Sequence, residues 1–237
     1  EAGTNKSIFN NPKEDYTKAL LSIIINDKKR LKVLPTVESF NSNAVSVYES
    51  NKQRKKRLDE IYSRKPILII KNLSKYYNTA NNIFKSNKDF QALNNINLEL
   101  YKGETLGLIG ESGSGKTTLS NAILKIHDFE KGEITFLGED VSTIKGEQLL
   151  NFKKNIQIIF QDPYASLNPL QKIKQIISEP LRFHKICDPD DIFERCKELM
   201  KDVGLDKTYL SRYPHELSGG QRQRVCIARA ISVNPKV

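Results

Sequence analysis

The sequence predicts an α/β fold built around a phosphate-binding loop, and three observations carry that prediction. A short apolar run, Thr105–Ile109, leads into GESGSGKT at Gly110–Thr117, which satisfies G-x-x-x-x-G-K-[ST] in full. A helical pattern follows at once. A second glycine-rich turn, LSGGQ at Leu217–Gln221, opens another helix further along the chain.

The elements follow in order from residue 66, where the texture turns globular. Ile67–Ile70 reads as the start of a strand, and Ala92–Leu100 alternates apolar and polar residues as a half-buried strand does. Asn78–Asp89 between them is polar and reads as a loop. Thr105–Ile109 is predicted to be a short buried strand, and Lys116 to about His127 a helix. Glu133–Leu137 and Ile156–Phe160 are predicted strands. Residues 172–213 read as mainly helical, with Asp188-Pro189-Asp190-Asp191 capping the helix that runs through Met200. The last helix spans Gly219–Val233 and is stopped by Asn234-Pro235. Ahead of residue 66 the texture differs. Residues 1–36 carry one amphipathic patch in which Tyr16, Leu20 and Ile23–Ile24 fall near helical spacing. Residues 37–65 are Ser/Asn-rich and then charged, which is linker composition, with Lys52–Tyr62 able to form a charged helix.

Composition bounds the function classes. The chain has 237 residues, 38% of them hydrophobic, and its longest apolar run, Ala19–Ile25, falls far short of a membrane span of roughly 20 residues. No apolar signal segment opens the sequence. The net charge of +10 raises the question of a nucleic-acid or anionic-membrane partner. Its densest cluster, Lys52–Arg57, lies in the linker-like stretch, so a solvated connector is the preferred reading and no nucleic-acid partner is expected. Cys187, Cys196 and Cys226 have no C-x-x-C spacing, and His127, His184 and His215 do not cluster with them. Neither a disulfide framework nor a zinc site is expected.

The glycine loop has a specific chemistry. Gly110, Gly113 and Gly115 allow backbone N–H groups around Glu111, Ser112, Ser114 and on to Thr117 and Thr118 to converge on phosphate oxygens. The helix behind points its positive dipole end at the same place. Lys116 supplies a mobile cation for the β- and γ-phosphates, and the Thr117 hydroxyl is a hard oxygen suited to Mg²⁺. This motif by itself leaves GTPase, kinase, RecA-like motor and transporter ATPase open.

The second motif narrows the choice. Tyr213–Arg224 (YPHELSGGQRQR) resembles the signature of ATP-binding-cassette (ABC) ATPases almost residue for residue. Ile156–Pro169 (IQIIFQDPYASLNP), followed by Ser178-Glu179-Pro180-Leu181, resembles the Q-loop region of the oligopeptide/dipeptide importer members of that family. The resemblance covers about residues 66–237. It implies a P-loop RecA-like core with an antiparallel β-subdomain and a helical subdomain around 162–221, ending before the Walker B strand. The catalytic carboxylates, D-loop and switch histidine have no counterpart before Val237, so negligible turnover is expected of residues 1–237 alone.

The same resemblance implies roles. ATP and Mg²⁺ would be the cofactors, with Gln161 approaching the metal and the attacking water. Leu217, Ser218, Gly219, Gly220 and Gln221 would cap the γ-phosphate of a nucleotide held by an opposing ATPase domain. Tyr77, with Tyr76 close behind, would stack on adenine. Membrane permease subunits and, indirectly, an extracellular peptide-binding protein would be partners, at the cytoplasmic face of a membrane. Nickel, opine or glutathione import stay open as substrate classes, and a soluble tandem ABC protein on the ribosome is the competing function. Residues 1–36 resemble the C-terminal tail of the same ATPases, departing at Glu14-Asp15 where the family pattern has His-Pro. This implies a tandem protein with 37–65 as its inter-domain linker.

Overall fold

The structure is a computed structural model that describes residues 1–22, 31, 48–78 and 89–237. Ile23–Ile24 of the apolar stripe, the linker residues 37–47 and the loop residues 79–88 lie outside the described residues. The chain divides into two units, Glu1–Lys65 and Pro66–Val237.

The first unit holds α1 (Asn5–Asn10), α2 (Asp15–Ser22) and α3 (Asn51–Tyr62). Thr4 caps α1 by accepting from the Ser7 N–H. On α2 the expected stripe does not form a buried face: Tyr16 and Leu20 are exposed, and Ala19 is buried instead. The charged stretch does form a helix. Ser50 and Gln53 close a reciprocal capping box at its start, and Arg57 grips Glu49 through two nitrogens at 2.8 and 3.2 Å.

The second unit begins with β1 (Leu68–Asn78) and β2 (Asp89–Leu100), followed by β3 (Lys131–Phe136) and β4 (Glu139–Asp140). They form one antiparallel sheet in the order β2-β1-β3-β4. Residues on its inner face, among them Leu68, Ile70, Leu73, Leu93 and Ile134, share a core with Leu119 and Ala122 of α4 (Lys116–Ile123) and Phe152 of α5 (Gly146–Asn155). Helix α4 stops short of the predicted His127. Leu124 caps it, Lys125 turns to φ +50°, and the Lys125 ammonium donates to the carbonyls of Val141, Ser142 and Ile144 at 2.7–2.9 Å. Lys153 donates to the Leu124 carbonyl beside it, and burial, with Lys125 nearby, pulls its pKa down. Helix α5 was not among the predicted elements.

A second core is helical. Helix α6 (Ile173–Phe183) buries Ile173, Ile176, Ile177 and Leu181, an i, i+3, i+4, i+8 stripe. Each such side chain contributes about 1.5–3 kcal/mol. It packs with α7 (Ile192–Asp202) and with Val225, Cys226 and Ala228 of α8 (Gly219–Ile231). The expected capping by the Asp188–Asp191 stretch does not operate: the Asp191 side chain accepts no hydrogen bond at the start of α7, because its backbone is already helical. Burial pushes the Cys196 thiol up to about 11 and raises that of Cys226, so both stay neutral thiols.

Two predicted strands are corrected. Thr105–Ile109 is neither hydrogen-bonded as a strand nor buried. Leu106 and Leu108 line a cavity of about 410 Å³ with Leu98, Leu119 and Ile123, and Ile109 is exposed. Ile156–Phe160 is not paired as a strand either, although Ile156 has extended backbone. Its one ladder-like contact is with Val237, whose N–H donates to the Asn155 carbonyl (3.1 Å) and whose carbonyl accepts from the Gln157 N–H (3.0 Å). That is the alternation of a parallel pair. Strand identity requires a neighbour, and among the described residues neither segment has a full one.

Candidate functional site

The glycine loop sits where β2 meets α4. Gly115 is the N-cap of α4, in left-handed backbone with φ +91° and ψ 2°. A Cβ there would stand 2.5 Å from the Ala92 carbonyl oxygen and 3.1 Å from Leu93 Cδ2. Conformation and space therefore both demand glycine. The helix has no side-chain cap, so the first-turn N–H groups that α4 cannot satisfy internally remain available to an anion. Lys116 folds into the loop and donates to the carbonyls of Gly110 (2.7 Å) and Glu111 (2.5 Å) and to Ser114 Oγ (3.2 Å). A phosphate would compete for that ammonium with three neutral acceptors, and its charge favours it. Thr117 is exposed and Thr118 half-buried at the same helix start.

The second glycine turn is built differently. Ser218 Oγ accepts from the Gln221 N–H (3.3 Å), and the Ser218 N–H donates to Gln221 Oε1 (2.9 Å), a complete capping box. Gln221 Nε2 also donates to the Tyr209 hydroxyl at 3.1 Å. Leu217 is buried in the helical core, so only its main chain can reach outward. Gly219 and Gly220 have ordinary φ, and a Cβ on either would meet open space.

Gln161 lies beside this turn. With Asp162, Pro163, Tyr164, Gly219, Gly220 and Gln223 it lines an open depression of about 630 Å³, to which Thr117 does not contribute. Three α8 side chains tie the 160–166 segment to the signature helix, a set the sequence reading did not single out. The buried Arg222 guanidinium stacks on the Tyr164 ring at 3.9 Å, Gln223 Nε2 donates to the Phe160 carbonyl, and Arg229 donates to the Ser166 carbonyl at 2.7 Å. The spacing of Arg222, Gln223 and Arg229 carries that signal only once the helix phase is known. His215 stacks on Tyr213 with 5.6 Å between ring centroids, a packing role.

Tyr77 and Tyr76 point to opposite faces of β1, as consecutive strand residues must. The Tyr76 hydroxyl accepts from Gln91 Nε2 at 3.0 Å. Tyr77 is exposed, with the Lys75 ammonium 5.5 Å from its ring centroid. Lys75 in turn pairs with Glu130 at 2.8 Å; despite some burial, that contact and the Tyr76 N–H hold the Glu130 carboxyl below its usual range.

The sequence of residues 93–237, more than half of the chain and including both glycine turns, matches the family model described as ABC transporter. The chain belongs to the ABC transporter family. It is 49% identical over 175 residues to the oligopeptide transport ATP-binding protein OppF of Streptococcus mutans, covering 73% of this chain and 55% of that protein. It is 39% identical over 240 residues to the glutathione import ATP-binding protein GsiA of Salmonella choleraesuis, covering all of this chain and 38% of that one. The chain thus spans only about half or less of these relatives. Among solved structures, the ATP-binding cassette MJ0796, a dimer bound to ADP and Pi, aligns with a TM-score of 0.62 at 30% identity, over 71% of this chain and 70% of that one. The ABC ATPase fold expected from the sequence is therefore shown. No helix among the described residues is long and apolar enough to cross a membrane, and no cluster of metal-ligating side chains occurs among them.

Proposed function

We propose that this chain is the ATP-binding part of a peptide importer: it holds Mg²⁺·ATP on Gly110–Thr118 and hydrolyses it when paired head to tail with a second cassette. One observation carries the reading: an uncapped helix start behind a glycine loop, with Lys116 held inside the loop by exchangeable neutral acceptors. In use, the loop N–H groups take the phosphate oxygens and Lys116 turns from its carbonyls onto the β- and γ-phosphates. The Thr117 hydroxyl and the Gln161 amide oxygen are hard, neutral donors that fit Mg²⁺, which prefers few protein ligands beside phosphate and water. Such a metal supplies charge neutralisation at the phosphates. Gly219 and Gly220, bare and beside Gln161, suit close approach of a nucleotide carried by the opposing cassette.

Import of oligopeptides is favoured by the relative with the higher identity, and glutathione import by the one aligned over the whole chain. Both are peptides, and that class is the substrate proposed. That whole-chain match also supports residues 1–36 as the tail of a preceding ATPase domain, 37–65 as linker and 66–237 as the next cassette. Permease subunits at the cytoplasmic face of a membrane, and through them a peptide-binding protein, complete the proposed assembly. Lys116→Ala should weaken ATP binding about ten- to a hundredfold by calorimetry, the loss of a charge-assisted contact of roughly 1.5–3 kcal/mol. Unchanged affinity in that variant sinks the reading.

A further inference from the structure

The most basic stretch of the chain is a folded helix, not a loose tether. Residues 48–65 hold seven Lys or Arg against three Asp or Glu, so this short segment carries a large share of the net charge of +10. Helix α3 is held from one side. The Ser50–Gln53 capping box closes its start, Arg57 is gripped by Glu49, and Ile61 is buried. Arg57 and Ile61, four residues apart, share one side of the helix. Lys52, Lys55 and Lys56, at i, i+3 and i+4, fall on the opposite side, and all three are exposed.

These lysines are barely partnered. Lys56 meets Glu60 only at 3.9 Å, and neither Lys52 nor Lys55 has an ion pair among the described residues. They also stand against the field of their own helix. Its first turn holds no acidic residue and its last turn no basic one, while Asp59 and Glu60 lie beyond the lysines toward the negative end. The helix macrodipole favours the reverse order. The arrangement costs the free helix stability, and an anionic surface at its basic end offsets that cost.

The chemistry of the face selects its occupant. An ammonium is a strongly hydrated point charge that suits the diffuse charge of lipid phosphates, whereas nucleic-acid recognition favours the planar fork of arginine. Arg57, the arginine nearest the lysines' centre, is already engaged by Glu49. Leu58 is half-buried and Ile61 buried, so neither aliphatic side chain is free to insert and the attraction is electrostatic.

We propose that the Lys52–Lys55–Lys56 face of α3 is a docking surface for the anionic headgroups of a lipid bilayer. The choice of a membrane rests on the importer reading, which brings the chain to one. The face adds a contact with the bilayer itself, independent of the permease.

The test is co-sedimentation of the intact chain, without nucleotide, with vesicles of mixed phosphatidylglycerol and phosphatidylcholine at low salt. Binding is expected to these vesicles, to fall as salt rises, and to be absent from pure phosphatidylcholine. Replacing Lys52, Lys55 and Lys56 together by Gln should weaken it about 100-fold, roughly fivefold for each lysine. Glutamine keeps a good helix propensity, so α3 should persist by circular dichroism. Replacing the exposed Lys71, Lys102 and Lys207 by Gln removes the same charge elsewhere and should cost far less. An equal loss in that second variant overturns the proposal, because net charge alone would then explain the binding. So does unchanged binding in the first variant, equal binding to neutral vesicles, or tighter binding of an RNA oligomer through the same three lysines. ATP affinity at Lys116 is measured separately: its loss in Lys116→Ala tests the nucleotide reading, and failure of vesicle binding leaves that reading standing.

Discussion

The two glycine-rich helix starts of this chain look alike in sequence and are physically opposite. At Gly115 the fold itself requires glycine, through a positive φ and a carbonyl 2.5 Å from where a Cβ would be. Its helix is left uncapped, so unsatisfied N–H groups face outward. At Gly219 and Gly220 the fold requires nothing: φ is ordinary, the surrounding space is open, and the helix is capped by its own Ser218 and Gln221. Glycine in a helix is costly relative to alanine. Two glycines without an internal reason fit the proposed close approach of a nucleotide from outside the chain. In the proposed function the first turn binds phosphate within one copy, whereas the second serves a nucleotide held by another.

The largest break in that comparison is Gly115→Ala. Left-handed backbone and overpacking against the β2 carbonyl should together destabilise the protein by roughly 2–4 kcal/mol, read as a shift in the urea midpoint. Nucleotide binding should be lost with it. A variant as stable as the wild type would show that the β2–α4 contact is looser than the structure has it.

How much of this was legible in the sequence differs between the same two regions. The glycine loop, Lys116 and Thr117 follow from a local pattern, because the tight turn and the helix start are contiguous. The clamp of Arg222, Gln223 and Arg229 on the 160–166 segment joins residues some sixty positions apart, as in the 63-residue separation of Arg229 and Ser166. Pattern reading has no access to that. Thr105–Ile109 and Ile156–Phe160 were read as strands from apolarity, but a strand is defined by the chain beside it. The bulge at Ala92, which brings β2 against Gly115, was invisible for the same reason. Helix α5 has only a weak sequence signal, since Leu149 and Phe152 stand three apart but Asn151, Lys153, Lys154 and Asn155 leave no longer apolar stripe.

A smaller effect sharpens the contrast from the other side. Ser218→Ala removes the capping oxygen that Gln221 N–H uses and should cost about 1 kcal/mol of stability. Affinity for ATP at the Lys116 loop should stay at the wild-type value if, as proposed, the two turns belong to different halves of a closed site. Loss of ATP affinity in the isolated chain would mean that the two turns communicate within one copy, against the proposed head-to-tail pairing.

The smallest effect on stability is the most diagnostic, because its sign is reversed. Gly219→Ala places a methyl group in open space at the start of α8 and should stabilise the helix by about 0.5 kcal/mol. The same methyl group would stand where the proposed partner nucleotide has to approach. Turnover of the assembled transporter should therefore fall steeply while the thermal midpoint rises slightly and ATP affinity at the Lys116 loop is untouched. A destabilising mutation lowers activity for many reasons; a stabilising one that lowers it points to an intermolecular contact. If turnover stays at the wild-type level in the stabilised variant, nothing approaches these glycines closely, and the second turn is only a helix start.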